Sequence, residues 1–96
     1  MDKGVINLVN YFNLHGLKTY MSCEGHWWYP SMSLFWISFD KEVSDKDIIA
    51  FKNTHRNLSG WFVKKYIDNI TGYDWRYVCR NKRVAKLDYI YLMSLN

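Results

Sequence analysis

Apolar residues recur with two different periods along this chain, and this alternation constrains the fold more than any other feature. The apolar positions of 5–12 follow the i, i+3, i+4, i+7 spacing of one helical face. In the segment 33–40, Phe35, Ile37 and Phe39 point one way and Leu34, Trp36 and Ser38 the other, as in a strand. The two periods predict helices at 3–15, 45–55 and 83–95, and strands at 17–22, 33–40, 61–67 and 75–80.

These elements predict an α+β fold in the order α-β-β-α-β-β-α, with a mainly antiparallel sheet of about four strands and helices on one face. The tail 83–95 also allows a strand between Tyr89 and Met93, and we favour the helix. Ser44 and Asp47 resemble a capping box at the start of the second helix. A chain of 96 residues can bury one modest core, so residues 1–96 are expected to form a single domain.

Charge is distributed unevenly between the two parts of the sequence. Residues 56–96 carry eight basic and three acidic side chains, whereas residues 1–55 carry five basic and six acidic ones. Between Trp75 and Lys86 there are five cations and no acid. This asymmetry indicates an anionic partner for the C-terminal half, although a solvated, solubilising surface would give the same pattern.

The two strands 61–67 and 75–80 form a predicted hairpin whose faces differ in chemistry. The set predicted to pack on the helices is Trp61, Val63, Ile67, Trp75, Tyr77 and Cys79. The set predicted on the open side is Phe62, Lys64, Tyr66, Arg76, Val78 and Arg80. Cations between aromatic rings suit single-stranded nucleic acid, because rings stack on bases and cations contact phosphates. The expected nucleic-acid-binding residues are Lys64, Tyr66, Arg76, Arg80, Lys82 and Arg83; an ordinary polar outer face is the alternative.

A second candidate site is the predicted turn at 22–26. Cys23 precedes Gly25 in a tight turn, and His26 lies three residues beyond the thiol, where it could activate a thiolate. Ser22, Cys23, Glu24 and His26 are therefore the catalytic candidates. The alternative is a buried cysteine that behaves as a small apolar residue.

The segment around this turn resembles known proteins. Asn10, Gly16, Thr19, Ser22, Cys23 and Gly25 resemble the N…Y-x-T-x-S-C-S-G signature of the wybutosine-synthesising (TYW3-like) family, with one residue more between Thr19 and Ser22. The same turn before the strand 35–39 is similar to small phage and prophage proteins of unknown function. The first resemblance implies methylation of a tRNA base from S-adenosylmethionine, with Ser22 and Cys23 at the active site. Glu24 departs from that pattern, and no glycine-rich segment suits a nucleoside cofactor, so we expect no cofactor.

The same segment also contains candidate residues for a metal site and for a partner site. Cys23 and His26 would need Cys79, His15 or His55 to complete a zinc site, and the second closely spaced pair of such a motif is missing, so no metal is expected. The aromatic loop Trp27, Trp28 and Tyr29 would suit a protein partner, or would close over the core as a lid.

Three functions follow from these features. We favour binding over catalysis, as a small phage- or mobile-element-type binding protein that acts on nucleic acid or a nucleoprotein complex through its basic, aromatic-rich C-terminal half. One alternative is a phage-encoded inhibitor of a host defence protein (anti-CRISPR-like) that binds through the aromatic loop, and another is a minimal TYW3-like RNA-modifying enzyme. With two cysteines, no signal-peptide pattern and no apolar run of membrane-spanning length, the protein is expected to be cytoplasmic, a monomer or homodimer with no membrane partner.

Overall fold

The computed structural model describes residues 3–23 and 34–95 as three helices and a four-stranded antiparallel sheet. The elements are α1 (Lys3–Leu14), β1 (Thr19–Cys23), β2 (Phe35–Phe39), α2 (Asp45–Thr54), β3 (Trp61–Asp68), β4 (Gly72–Cys79) and α3 (Lys82–Ser94). The predicted α+β class and the order α-β-β-α-β-β-α are confirmed, and the ambiguous tail is a helix. The hairpin strands are longer than predicted, because pairing continues into the expected loop up to Asp68 and Gly72.

Local side-chain contacts fix where the helices begin and end. Asn13 joins α1 to β1, since its amide donates to the carbonyl of Val9 at 2.8 Å and its Oδ1 accepts from Thr19 N at 2.9 Å. The predicted capping box of α2 is present: Ser44 Oγ accepts from Asp47 N, and the Asp47 carboxylate accepts from Ser44 N. These bonds satisfy amides at the helix start that have no partner within the helix.

The helices cover one face of the sheet, whose strand order is β1-β2-β4-β3. Phe12 of α1 lies at the centre of the core, with ring centroids 5.2 Å from Phe39, 5.7 Å from Phe51 and 5.5 Å from Tyr77. The face of β2 that carries Phe39 is buried, as its alternation predicted. We call this side the helix face of the sheet and the other side the open face.

A buried carboxylate ties α3 to the sheet. Asp88 is only 2% exposed, and its oxygens accept from Ser59 N at 2.7 Å, from Gly60 N at 2.8 Å and from the Tyr77 hydroxyl. Burial is the main cause that raises the pKa of Tyr77, so its hydroxyl keeps its proton and acts as a donor. Gly60 packs so closely on the Tyr77 ring that a Cβ at this position would overlap it. Because three donors share one carboxylate, the start of β3 is fixed against α3.

A β-bulge in β3 overturns the predicted assignment of its two faces. Asp68 lies opposite Gly72, but Tyr66 lies opposite Tyr73, so β3 advances two residues while β4 advances one. Ile67 is the extra residue. A shift of one residue moves every later side chain of a strand to the opposite face. If β3 paired with β4 from Asp68 onward without the bulge, Phe62, Lys64 and Tyr66 would lie on the open face, as predicted.

With the bulge, the alternate residues of β3 exchange faces relative to the prediction. Phe62 lies opposite the buried Tyr77 and is 7% exposed, on the helix face. Trp61, opposite Val78, is 42% exposed and lies on the open face. The prediction was therefore wrong for β3. It was correct for β4, where Tyr77 is buried in the core and Arg76 lies on the open face.

Candidate functional site

One row of side chains crosses all four strands on the open face. Trp36 pairs with Cys23 on one side and with Val78 on the other, and Val78 pairs with Trp61. Directly paired residues of neighbouring strands share a face, and neighbouring strands lie about 4.8 Å apart. The two indole-bearing positions are therefore roughly 10 Å apart, with Val78 between them. We call these four residues the aromatic row.

A cation lies beside this row. Arg76 is two residues before Val78 on β4, so it occupies the next row of the same face, paired with Val63 and Ser38. Its guanidinium carbon lies 4.1 Å from the ring centroid of Trp36, a cation–π contact. The buried Nε of Arg76 has no hydrogen-bond partner. The side chain is thus held over the indole, and it lines the open face of the sheet.

A cavity of about 430 Å³ lies over the aromatic row and its neighbours. Its walls are Cys23, Leu34, Trp36, Trp61, Val63, Lys65, Arg76 and Val78. This size falls within the usual range of small-ligand pockets. Apolar rings with two cations beside them suit a ligand that is both planar and anionic.

Lys65 is the second cation of the cavity and the one that sequence analysis missed. It is exposed and lies opposite Asp74 of β4. Alternation along β3 without the bulge predicts its neighbour Lys64 for the open face instead. No signal within β3 alone would have corrected this choice, since large apolar residues occur at both parities of the strand.

Lys64 and Tyr66, both predicted for the open side, lie instead on the helix face. Lys64 Nζ is 3.1 Å from the carboxylate of Asp45, which also accepts from Trp75 Nε1 at 2.7 Å. The bond from Trp75, then that from Lys64, lowers the pKa of Asp45. Tyr66 stacks edge to face with Tyr73. The structure therefore does not bring Lys64 or Tyr66 together with Arg76.

The other predicted cations lie at one end of the sheet. Arg80 follows β4 directly, at the end where the aromatic row crosses the sheet. Lys82 and Arg83 are in the first turn of α3, after the N-cap Asn81, whose side chain accepts from Val84 N. All three cations are exposed. None of the three lines the cavity of the open face.

The catalytic candidates are divided between the two sides of β1. Ser22 lies opposite the buried Ile37, whereas Cys23 lies opposite Trp36 and lines the open-face cavity. Cys23 was predicted to lie in a turn, but it is the last residue of β1. Glu24, His26 and the aromatic loop Trp27, Trp28 and Tyr29 lie outside the described residues.

The second cysteine is buried in the core. Burial raises the pKa of the Cys79 thiol to about 11, and the thiol donates to the carbonyl of Asn81. In residues 3–23 and 34–95, no three His, Cys, Asp or Glu side chains come close enough together to hold a metal ion. His15 and His55 line a separate groove, where His55 stacks on Phe51.

No family model, curated protein or solved structure matches this chain. The resemblance to the TYW3-like family and to small phage proteins therefore stays a prediction. None of the helices in the described part of the chain is long and apolar enough to cross a bilayer.

Proposed function

We propose that this chain is a small binding protein that takes single-stranded nucleic acid, alone or in a nucleoprotein complex, on the open face of its sheet. The observation that carries the proposal is the row of Trp36 and Trp61 with Arg76 beside it. Aromatic rings and arginine guanidinium planes stack on unpaired bases, and neighbouring cations bind the phosphates. The basic C-terminal half agrees with an anionic partner.

Two features favour binding over catalysis. Ser22 and Cys23 are successive residues of β1 and point to opposite faces, so they do not act on one substrate together. The cavity lies on one face of an antiparallel sheet, and among its lining residues the titratable side chains are Cys23, Lys65 and Arg76. This set suits recognition of an anion better than general acid–base chemistry.

The experiment is fluorescence anisotropy with labelled single-stranded RNA, single-stranded DNA and duplex DNA, at low and at near-physiological salt. We expect both single strands to bind more tightly than the duplex, with affinity that falls as salt rises. Trp61→Ala should weaken binding about fivefold or more, because a stacked base contributes about 1–3 kcal/mol. Tyr66→Ala is the matched control on the helix face of the same strand and should leave affinity unchanged.

Failure to bind any of the three at low salt would overturn the proposal. The exposed rings of the open face would then belong to a protein interface, as in the inhibitor hypothesis. Equal loss of affinity in the Trp61 and Tyr66 variants would also contradict it, because the effect would not distinguish the two faces.

A further inference from the structure

We infer that the open face holds a footprint of two to three nucleotides, whose bases stack on the Arg76 guanidinium that covers Trp36 and on the ring of Trp61, while only two phosphates are bound, by the edge of Arg76 and by Lys65. This inference rests on the proposed function and adds the length and the strandedness of the ligand. It separates the open face from the larger basic surface at 80–83, which a longer strand would have to follow.

The spacing of the two indoles sets the strandedness. Trp36 and Trp61 are separated by the width of two strand intervals, roughly 10 Å. Successive nucleotides of a duplex strand are only about 3.4 Å apart along the helix axis. Bases that stack at both positions must therefore be unstacked from each other. Unpaired strands allow this separation, and a duplex resists it.

The width of the sheet sets the length of the footprint. Cys23 and Trp61 mark the two ends of the aromatic row, on the edge strands β1 and β3. Three strand intervals give a platform of roughly 14 Å. Four-stranded sheets of this width stack two or three bases in known RNA-binding modules. A further nucleotide would lie beyond the edge of the sheet.

The cations of the cavity set the number of phosphates. Arg76 is held over Trp36 and lines the cavity, and Lys65 lines the same cavity. Asp74 lies opposite Lys65 and reduces the positive potential there. Lys64 makes no contribution, because its ammonium is bound to Asp45 on the helix face.

The first test varies ligand length. Oligothymidylates and oligouridylates of one to about sixteen nucleotides are titrated while the intrinsic tryptophan fluorescence is recorded. We expect affinity to rise about tenfold or more from one to three nucleotides. Beyond that length it should rise only in proportion to the number of overlapping positions. The two series separate DNA from RNA as the preferred strand.

The second test counts phosphates by salt dependence. Two contacts predict a slope of about −1.4 in a plot of log affinity against log salt for a single strand. Lys65→Gln and Arg76→Gln should each make the slope shallower by about 0.7, whereas Lys64→Gln, the adjacent lysine on the helix face, should leave it unchanged. Thermal unfolding of each variant checks that the fold is intact.

The outcomes distinguish this inference from the proposed function. A slope near −3.5, or affinity that keeps rising steeply to eight nucleotides or more, would mean that Arg80, Lys82 and Arg83 also bind phosphates. The short footprint would then be wrong, while nucleic-acid binding would stand. Absence of binding at every length would overturn both.

Discussion

The two faces of the hairpin carry nearly the same residue types and yet have different roles. On the helix face, Lys64 is bound to Asp45 and Phe62 is part of the core. On the open face, Lys65, next to Lys64 in the sequence, and Trp61, next to Phe62, line a cavity. The comparison teaches that composition alone does not mark a binding surface. The partners that each side chain already has decide which residues remain available to a ligand.

The neighbouring residues Phe62 and Trp61 give the largest expected contrast. Phe62→Ala should lower the free energy of unfolding by about 3–5 kcal/mol, because it opens a cavity among aromatic rings of the core. Trp61→Ala should cost less than about 1 kcal/mol, since the side chain is 42% exposed. Urea denaturation of both variants is the measurement. Similar losses in the two variants would contradict the assignment of faces.

Asp88 offers the next largest effect, again on stability. Asp88→Ala should lower the free energy of unfolding by about 3 kcal/mol, because Ser59 N, Gly60 N and the Tyr77 hydroxyl all lose their acceptor in a buried place. The control is Asp74→Ala on the open face, with an expected change within about 0.5 kcal/mol. A small effect at Asp88 would mean that the three donors find other acceptors.

Much of the fold was predictable, because its signals are local. The helical spacing of 5–12, the alternation of β2 and the capping box at Ser44 each involve residues close together in sequence, and each was confirmed. Asp88 also left a signal, since Ala85, Asp88 and Leu92 share one helical stripe and are all buried. Sequence analysis did not use that signal.

The candidate site was predicted less well, because one extra residue in β3 decides which face of the sheet each side chain of that strand occupies. The bulge at Ile67 exchanges the faces of the rest of β3, and nothing in the alternation of the strand reveals it. Arg76 was assigned to the open side correctly, since β4 has its large rings at one parity only. Lys65 was missed and Lys64 chosen, because apolar residues occur at both parities of β3.

The two cysteines give a smaller, chemical contrast between the faces. Burial raises the pKa of Cys79 to about 11, so its reactive thiolate is scarce, whereas Cys23 lines the open cavity. In the folded protein we expect alkylation of Cys23 to be on the order of a hundredfold faster than that of Cys79, as followed by mass spectrometry. Bound oligonucleotide should slow the reaction of Cys23. Labelling of Cys79 at a comparable rate would mean that the core is open at the end of β4.

The smallest expected effect tests the charge of the open face. Asp74→Asn removes the acid opposite Lys65 and should tighten binding of a single strand by about twofold to fourfold at low salt. Near-physiological salt should reduce this gain, because an exposed charge is screened. Anisotropy titrations of the variant and the natural protein give the ratio. Weaker binding by the variant would show that Asp74 positions Lys65 and does not oppose the ligand.

The most direct test of the central claim follows the indole N–H signals by ¹⁵N-resolved NMR while a short oligothymidylate is added. The account predicts that the signals of Trp36 and Trp61 shift, because one base stacks on Trp61 and another on the Arg76 guanidinium that covers Trp36. The signal of Trp75 should stay in place, since its Nε1 donates to Asp45 on the helix face. Shifts confined to Trp27 and Trp28, or a shift of Trp75 with Trp61 unchanged, would contradict binding on the open face.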